Sequence, residues 1–251
     1  MILIKSPAEI ELMRMAGRAA SAALFTAGRA VAPGVTTREL DAIVVRVLKE
    51  FGCTASSLGY NGFPASSCIS LNDVVIHGIP GGRVIREGDV VKLDIVAGYN
   101  GFHGDCAAAF FAGQVSDTAQ KLAGAAERAF YAGLEKAVEG NRISDISAAI
   151  QESAEAEGFS VVRRFIGHGI GRSMHEDPEV PLFGKPGRGP RLERGMTITI
   201  EPMVNEGTYD VYVDSKDGWT VYTADHKLSA HFENTVLITG GQPEILTKFD
   251  G

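Results

Sequence analysis

The sequence predicts an α+β protein. Three observations carry this: two capping boxes that each open an apolar run at helical spacing, strand-like segments, one pair of them a hairpin, mixed among the helices, and no strict βαβ alternation. Ser6-Pro7-Ala8-Glu9 is the first capping box, with Ser6 as N-cap, Pro7 at N1 and Glu9 at N3. The helix it opens runs to about Ala30 and stops at Pro33-Gly34. Thr36-Thr37-Arg38-Glu39 is the second. Leu40, Ile43, Val44, Val47, Leu48 and Phe51 follow at helical spacing, ending at Gly52. Loop-like residues come next, then a short apolar stretch through Ile69. His77 lies in VVIHGIPGG, whose Gly78, Pro80, Gly81 and Gly82 argue for a loop. DVVKLDIVAGYNGFHGDCAAAF (89–110) reads as a hairpin. Helical patterns return from Ser116 to about Val138 and over about 143–157, ending at Gly158. Then come SVVRRFIGHGIG, a Pro/Gly-rich loop (181–190), a strand GMTITIEPMV (195–204), a polar connector, and a last strand around SAHFENTVLIT (229–239).

Shifting the chain by 106 residues aligns Gly34, Leu40, Ala42 and Gly52 with Gly140, Ile146, Ala148 and Gly158. The repeat hints at two related halves. No linker is long enough to separate independent domains.

Composition narrows the function classes. A net charge of −7 and the lack of any Lys/Arg block argue against nucleic acid as partner. Cys53, Cys68 and Cys106 are too few and too scattered for a disulfide framework or a thiolate zinc site, and read as small buried hydrophobes. The N-terminus lacks the apolar stretch of a signal peptide, and no apolar run approaches membrane-spanning length. A cytoplasmic protein with no membrane partner is expected.

The hairpin carries a problem. Asp94 and Asp105 sit within its apolar strands, where carboxylates are poor strand formers and expensive to bury. A turn at Tyr99-Asn100 places them opposite each other; a turn at Asn100-Gly101 places them diagonally. Both registers put them on one face, with Val90, Val96 and Ala107; a three-residue loop without a bulge would separate them. Like charges that close repel, and a divalent cation resolves the repulsion. Glu201 and Glu233 stand in similar apolar company. A neutral imidazole would complete a mixed oxygen and nitrogen site.

His168, in IGHGIG, is flanked by glycines that let the backbone crowd a site. A dinucleotide reading of this G-x-G-x-G fails because a proline follows where a helix is needed. His175 falls seven residues later, in MHEDP. His103 shares the face of Asp105, so spacing leaves it open as a ligand. His226 and His231 have no supporting context and are expected at the surface.

The segments NDVVIHGIP, LDIVAGYNGFHGD, GHGIGRSMHEDP, TITIEPMV and FENTVLIT, in this order and spacing, resemble the type I methionine aminopeptidases over nearly the whole chain. The resemblance implies a pita-bread fold in one catalytic domain, with halves of about 1–112 and 113–251 around a curved antiparallel sheet. It implies that Asp94, Asp105, His168, Glu201 and Glu233 ligate two divalent ions drawn from Co, Mn, Fe, Ni and Zn. Asp105 and Glu233 would bridge them, and His103 matches a position that is not a ligand. His77 and His175 would face the substrate. Tyr60, Phe63, Cys68 and Trp219 would line the methionine pocket, where a sulfur or aromatic wall suits a thioether. Ser57, Asn61 and Met174 depart from the family pattern at the pocket.

The implied reaction is hydrolysis of the first peptide bond ahead of a small second residue. Glu201 would carry the proton, His175 would stabilise the oxyanion and His77 would hold the scissile amide. The implied partners are nascent polypeptide or peptide N-termini. Docking near the ribosomal exit fits that substrate, although no basic patch announces it, and a monomer is expected. One rival is a Xaa-Pro aminopeptidase or prolidase, which carries a further N-terminal domain that a first helix at Ser6 does not accommodate. The other is a non-catalytic pita-bread binding protein, which loses ligands that are all present here.

Overall fold

The computed structural model describes residues 1–248, so the last three residues of the second half lie outside it. Four helices form where the capping and periodicity place them: α1 (Pro7–Arg29), α2 (Thr37–Glu50), α3 (Asp117–Lys136) and α4 (Ile143–Ala156). Both capping boxes close. The Ser6 and Thr36 hydroxyls accept from the N3 backbone, and Glu9 and Glu39 accept from the cap backbone. Ser116 caps α3 with a single bond, its hydroxyl accepting from the Ala119 backbone N–H, since the alanine at N3 cannot reciprocate.

The strands are β1 (Thr54–Ala55), β2 (Cys68–Leu71), β3 (Val74–Ile76), β4 (Val90–Tyr99), β5 (Phe102–Phe111), β6 (Ser160–Val161), β7 (Gly167–Gly169), β8 (Glu176–Val180), β9 (Thr197–Ile200), β10 (Met203–Asn205), β11 (Val211–Val213), β12 (Val221–Thr223), β13 (Ser229–His231), β14 (Glu233–Leu237) and β15 (Glu244–Ile245). A central antiparallel sheet runs β1-β4-β5-β14-β9-β7-β8, with β2 also on β4 and β15 on β14. Two small sheets, β13-β10-β6 and β11-β12-β3, flank it.

The hairpin adopts the second of the two registers. Asn100 (φ 47°) and Gly101 (φ 80°) form its turn, both in the left-handed region that a two-residue hairpin needs. Asp94 therefore opposes Ala107, and Asp105 opposes Val96. Three expectations need correction. The strand over 195–204 breaks at Glu201-Pro202, because proline cannot donate to a ladder, and the strand over 229–239 splits at Phe232. β8 lies within the charged run after His175, and β11 and β12 lie in the polar connector. His231 is not at the surface: it is buried, at 3% exposure, whereas His226 is exposed and pairs with Asp73.

The internal repeat is visible in the backbone. α2 and α4 occupy ranges 106 residues apart, and Gly34 (φ 94°) and Gly140 (φ 92°) share a left-handed turn before each. Gly34 N–H donates to the Ile85 carbonyl, and Gly140 N–H to that of Leu192. Isolated bridges pair Thr36 with Val84 and Arg142 with Arg191.

Helix α1 lies unusually close to the hairpin. Ala16, Gly17, Ala20, Ala23 and Ala27 are fully or nearly fully buried, and an added Cβ at Gly104 would sit 2.6 Å from the Gly17 nitrogen. Each half has its own apolar core: Leu40, Val44, Leu93 and Ile95 in the first, Phe130, Ile146, Ile150 and Ile198 in the second. Burying each such side chain contributes about 1.5–3 kcal/mol, so both faces of the sheet are held.

Candidate metal centre

Sheet register builds the centre. Cross-strand partners point to the same face. Cys68 opposes Asp94, Asp94 opposes Ala107, and Ala107 opposes Glu233. Asp105, two residues from Ala107, shares that face. On the other side of β14, Asn234 opposes Ile200, which brings Glu201 alongside Glu233. Ala107 stands at the middle of this ring with no side chain beyond Cβ, and so leaves space among the acids. Two donor groups share Glu233: Asp94, His231 and Glu233, and Asp105, His168 and Glu233, with donor atoms within 4.8 Å of one another in each.

His168 enters from β7. Its backbone N–H donates to Thr199 Oγ1 at 3.0 Å, which ties β7 to β9. Its ring Nδ1–H donates to the Gly169 carbonyl at 2.9 Å, so Nε2 keeps its lone pair. That nitrogen lies 3.5 Å from Glu201 Oε1. Thr199 Oγ1 in turn donates to the same Glu201 oxygen at 2.6 Å. Asp105 is pinned by Thr235, whose hydroxyl accepts from the Asp105 backbone N–H at 2.9 Å and donates to its carbonyl at 3.0 Å.

The electrostatics fit a cation. Burial and mutual repulsion push the Asp105 and Glu233 carboxyls well above the usual range. Burial raises Asp94 to about 7 and Glu201 to about 8. Burial also lowers His168 to about 3, with His175 adding to it, so the imidazole is neutral and free to ligate. Asp105 Oδ1 and Glu233 Oε1 are buried side-chain atoms with no hydrogen-bond partner. Unpaired acceptors in one buried cluster are what a divalent ion satisfies, and the mixed carboxylate and imidazole donors suit hard to borderline metals.

Above the cluster lies a cavity of about 310 Å³. Asp94, Asp105, His168, Glu201 and Glu233 line it, and so do Tyr60, Phe63, Cys68, His77, His175 and Trp219. The residues expected from the sequence thus share one cavity. Trp219 meets Phe63 edge-on at 5.2 Å. Burial and the neighbouring carboxylates hold the Cys68 thiol protonated, so it serves as an apolar wall rather than a nucleophile. Ser57, Asn61 and Met174, where the sequence departs from the resemblance, line the same cavity.

His77 follows β3 with a left-handed backbone (φ 58°), a strained conformation for a non-glycine residue that aims its ring between Phe165 and Trp219. Burial lowers its pKa to about 4, so it is neutral. The Tyr60 hydroxyl lies 2.6 Å from His175 Nδ1, and the rings of His168 and His175 are 4.2 Å apart. His103 stands apart from both donor groups, with Nδ1 donating to the Gly171 carbonyl at 3.0 Å. Phe165 and Ile166 also line the cavity. Sequence reasoning missed them because apolar residues beside glycines carry no chemical signal. It missed His231 for a different reason: a lone histidine within an expected strand gives no sign of which face of the strand is buried.

A carboxylate and imidazole ring on a pita-bread sheet, open to one cavity, defines the class of metal-dependent hydrolases. More narrowly, the chain belongs to metallopeptidase family M24, whose sequence profile matches residues 11–240. It is 53% identical to methionine aminopeptidase of Clostridium perfringens (strain 13 / Type A), over 98% of this chain and 99% of that one. It is 47% identical to methionine aminopeptidase 1 of Bacillus subtilis (strain 168), over 99% and 100%. The crystal structure of methionine aminopeptidase from Thermotoga maritima superimposes with a TM-score of 0.97 at 40% identity, covering 99% of this chain and all of the other.

Proposed function

We propose that this chain removes N-terminal methionine from nascent proteins and peptides whose second residue is small. The observation that carries the reading is the donor ring at the floor of a cavity walled by Tyr60, Phe63, Cys68 and Trp219. A side chain of methionine's length and softness fills such a wall, and its α-amino group then falls at the Asp94 end of the ring. That placement limits cleavage to the first residue. We assign Asp94, Asp105, His168, Glu201 and Glu233 as the residues that would hold two divalent ions. When bound, the ions supply a Lewis acid and acidify a water toward neutral pH.

The remaining steps belong to side chains. Thr199 occupies Glu201 Oε1, which leaves Oε2 to take a proton and hand it to the leaving amine. With the Tyr60 O–H donated to His175 Nδ1, 2.6 Å away, His175 Nε2–H would be the group that meets the developing oxyanion. Neutral His77 donates to the scissile amide. The two halves act as one catalytic domain, because each supplies ligands.

The enzyme works as a monomer on chains emerging from the ribosome in the cytoplasm. The substrate class supports that setting, and among the described residues no helix is long and apolar enough to cross a membrane. Metal-stripped protein given Mn(II) or Co(II) is expected to cleave Met-Ala-Ser and leave Ala-Pro substrates intact. The reverse preference would move the assignment to a prolidase. No calorimetric heat with either ion would move it to a non-catalytic binding protein.

A further inference from the structure

His231 is a buried imidazole that the reaction described above does not use. Its Nε2 lies 3.5 Å from Glu233 Oε2, both side chains are 3% exposed, and an Asp94 oxygen completes a group within 4.8 Å. His231 Nε2 has no hydrogen-bond partner. Among the described residues, four buried side-chain polar atoms are unpartnered, and three of them (Asp105 Oδ1, His231 Nε2 and Glu233 Oε1) belong to this one cluster.

The ring approaches from outside the central sheet. His231 ends β13, which pairs with β10, while Glu233 begins β14, which pairs with β5. His231 is absent from the lining of the substrate cavity and lines a separate hollow with Phe110 and Phe232. It therefore meets Glu233 from the side away from the substrate. A tether fixes this approach. Lys92, two residues before Asp94 on β4, donates from Nζ to the carbonyl of Ser229, two residues before His231, at 2.9 Å, and to that of Asn72 at 2.7 Å. Strand β13 is thus anchored to the strand that carries Asp94.

We infer that His231 is a positioning residue for the metal ligands, donating Nε2–H to the rear of the Glu233 carboxylate, beside Asp94. With a cation bound and both carboxylates ionised they are acceptors only, and a nitrogen lone pair facing them would be repelled, so the proton resides on Nε2. A small rotation of the Glu233 carboxylate closes the distance to hydrogen-bond range. Partners behind a ligating carboxylate fix its direction, and their loss weakens metal binding by about 10- to 100-fold. The inference rests on the metal site proposed above.

The test compares His231→Leu, which removes the donor, with His231→Gln, whose amide N–H2 can replace it. Mn(II) is titrated into each metal-stripped protein by calorimetry, and the melting temperature of each stripped protein is recorded. The expected result is Mn(II) affinity roughly 10- to 100-fold weaker in His231→Leu, largely restored in His231→Gln, with similar melting temperatures for the two stripped variants. Unchanged affinity in His231→Leu overturns the inference. So does a Gln variant as weak as the Leu variant, which would make the imidazole itself a ligand. A loss of affinity that merely tracks a lower melting temperature overturns it too. If the unsubstituted protein takes up no Mn(II), the underlying metal-site reading fails instead.

Discussion

At the scale of single residues, the site depends on a few groups with no substitute nearby. Asp94→Asn keeps the shape but removes a charge, and His168→Ala removes the one nitrogen whose tautomer the Gly169 carbonyl fixes. Each is expected to lower Met-Ala-Ser cleavage by more than about 10²-fold, since even partners behind ligands cost 10- to 100-fold in affinity or activity. Near-normal turnover in either variant would refute the ligand assignment. The acids were legible in the sequence because Asp94, Asp105, Glu201 and Glu233 interrupt apolar strands, where a carboxylate needs a reason. His168 was legible through its glycines. His231 was not, because its burial is imposed by β10 and β13, elements whose pairing no local pattern announces.

At the scale of elements, the closest packing is the contact of α1 with the hairpin. An added Cβ at Gly104 would meet Gly17 at 2.6 Å from its nitrogen and 2.8 Å from its Cα, both backbone atoms that cannot rotate away. Gly104→Ala is therefore expected to destabilise by about 1–3 kcal/mol, as overpacking does. For a chain of this size that is a fall of roughly 2–4 °C per kcal/mol in a thermal melt. A melting temperature within a degree of the parent would show that α1 shifts freely. The four helices were legible because capping residues and 3.6-residue periodicity are local signals. The short strands β8, β11 and β12 were not, because EDPEV, VYV and VYT are too short and too polar in context to show a strand period; β8 pairs with β7 and β11 with β12 across short connections, and only β12 also reaches a distant partner, β3.

At the scale of the whole molecule, the ring of acids couples stability to pH and to metal. Unfolded, these carboxyls lose their protons near pH 4. Folded and metal-free, burial keeps Asp94 protonated to about pH 7 and Glu201 to about pH 8. Within that window the folded state holds more protons than the unfolded state, so the stability of metal-free protein falls as pH rises. A bound cation takes the place of those protons, so stabilisation by metal grows across the same window. His168 is neutral in the folded protein with or without the ion, and its contribution cancels in the difference. Scanning calorimetry should show the gap between metal-loaded and metal-free melting temperatures widening from pH 5 to pH 8. A constant gap would mean that the acids are already ionised without metal. The α+β class and the repeat were legible from sequence, whereas the full ligand set joining Glu201 and His168 to the hairpin acids was supplied by the resemblance.

The tie between Asp105 and Thr235 has a bearing on how the protein is made. Asp94 and Asp105 leave the ribosome together, but Thr235 and Glu233 arrive only on β14, after both helix pairs and β9 have been synthesised. A growing chain that stops before β14 has four of its five assigned ligands but no shared Glu233 and no pin on Asp105. On the ligand assignment proposed above, hydrolytic competence comes late in translation, and the unfinished polypeptide would have no means of trimming its own N-terminus or a neighbour's.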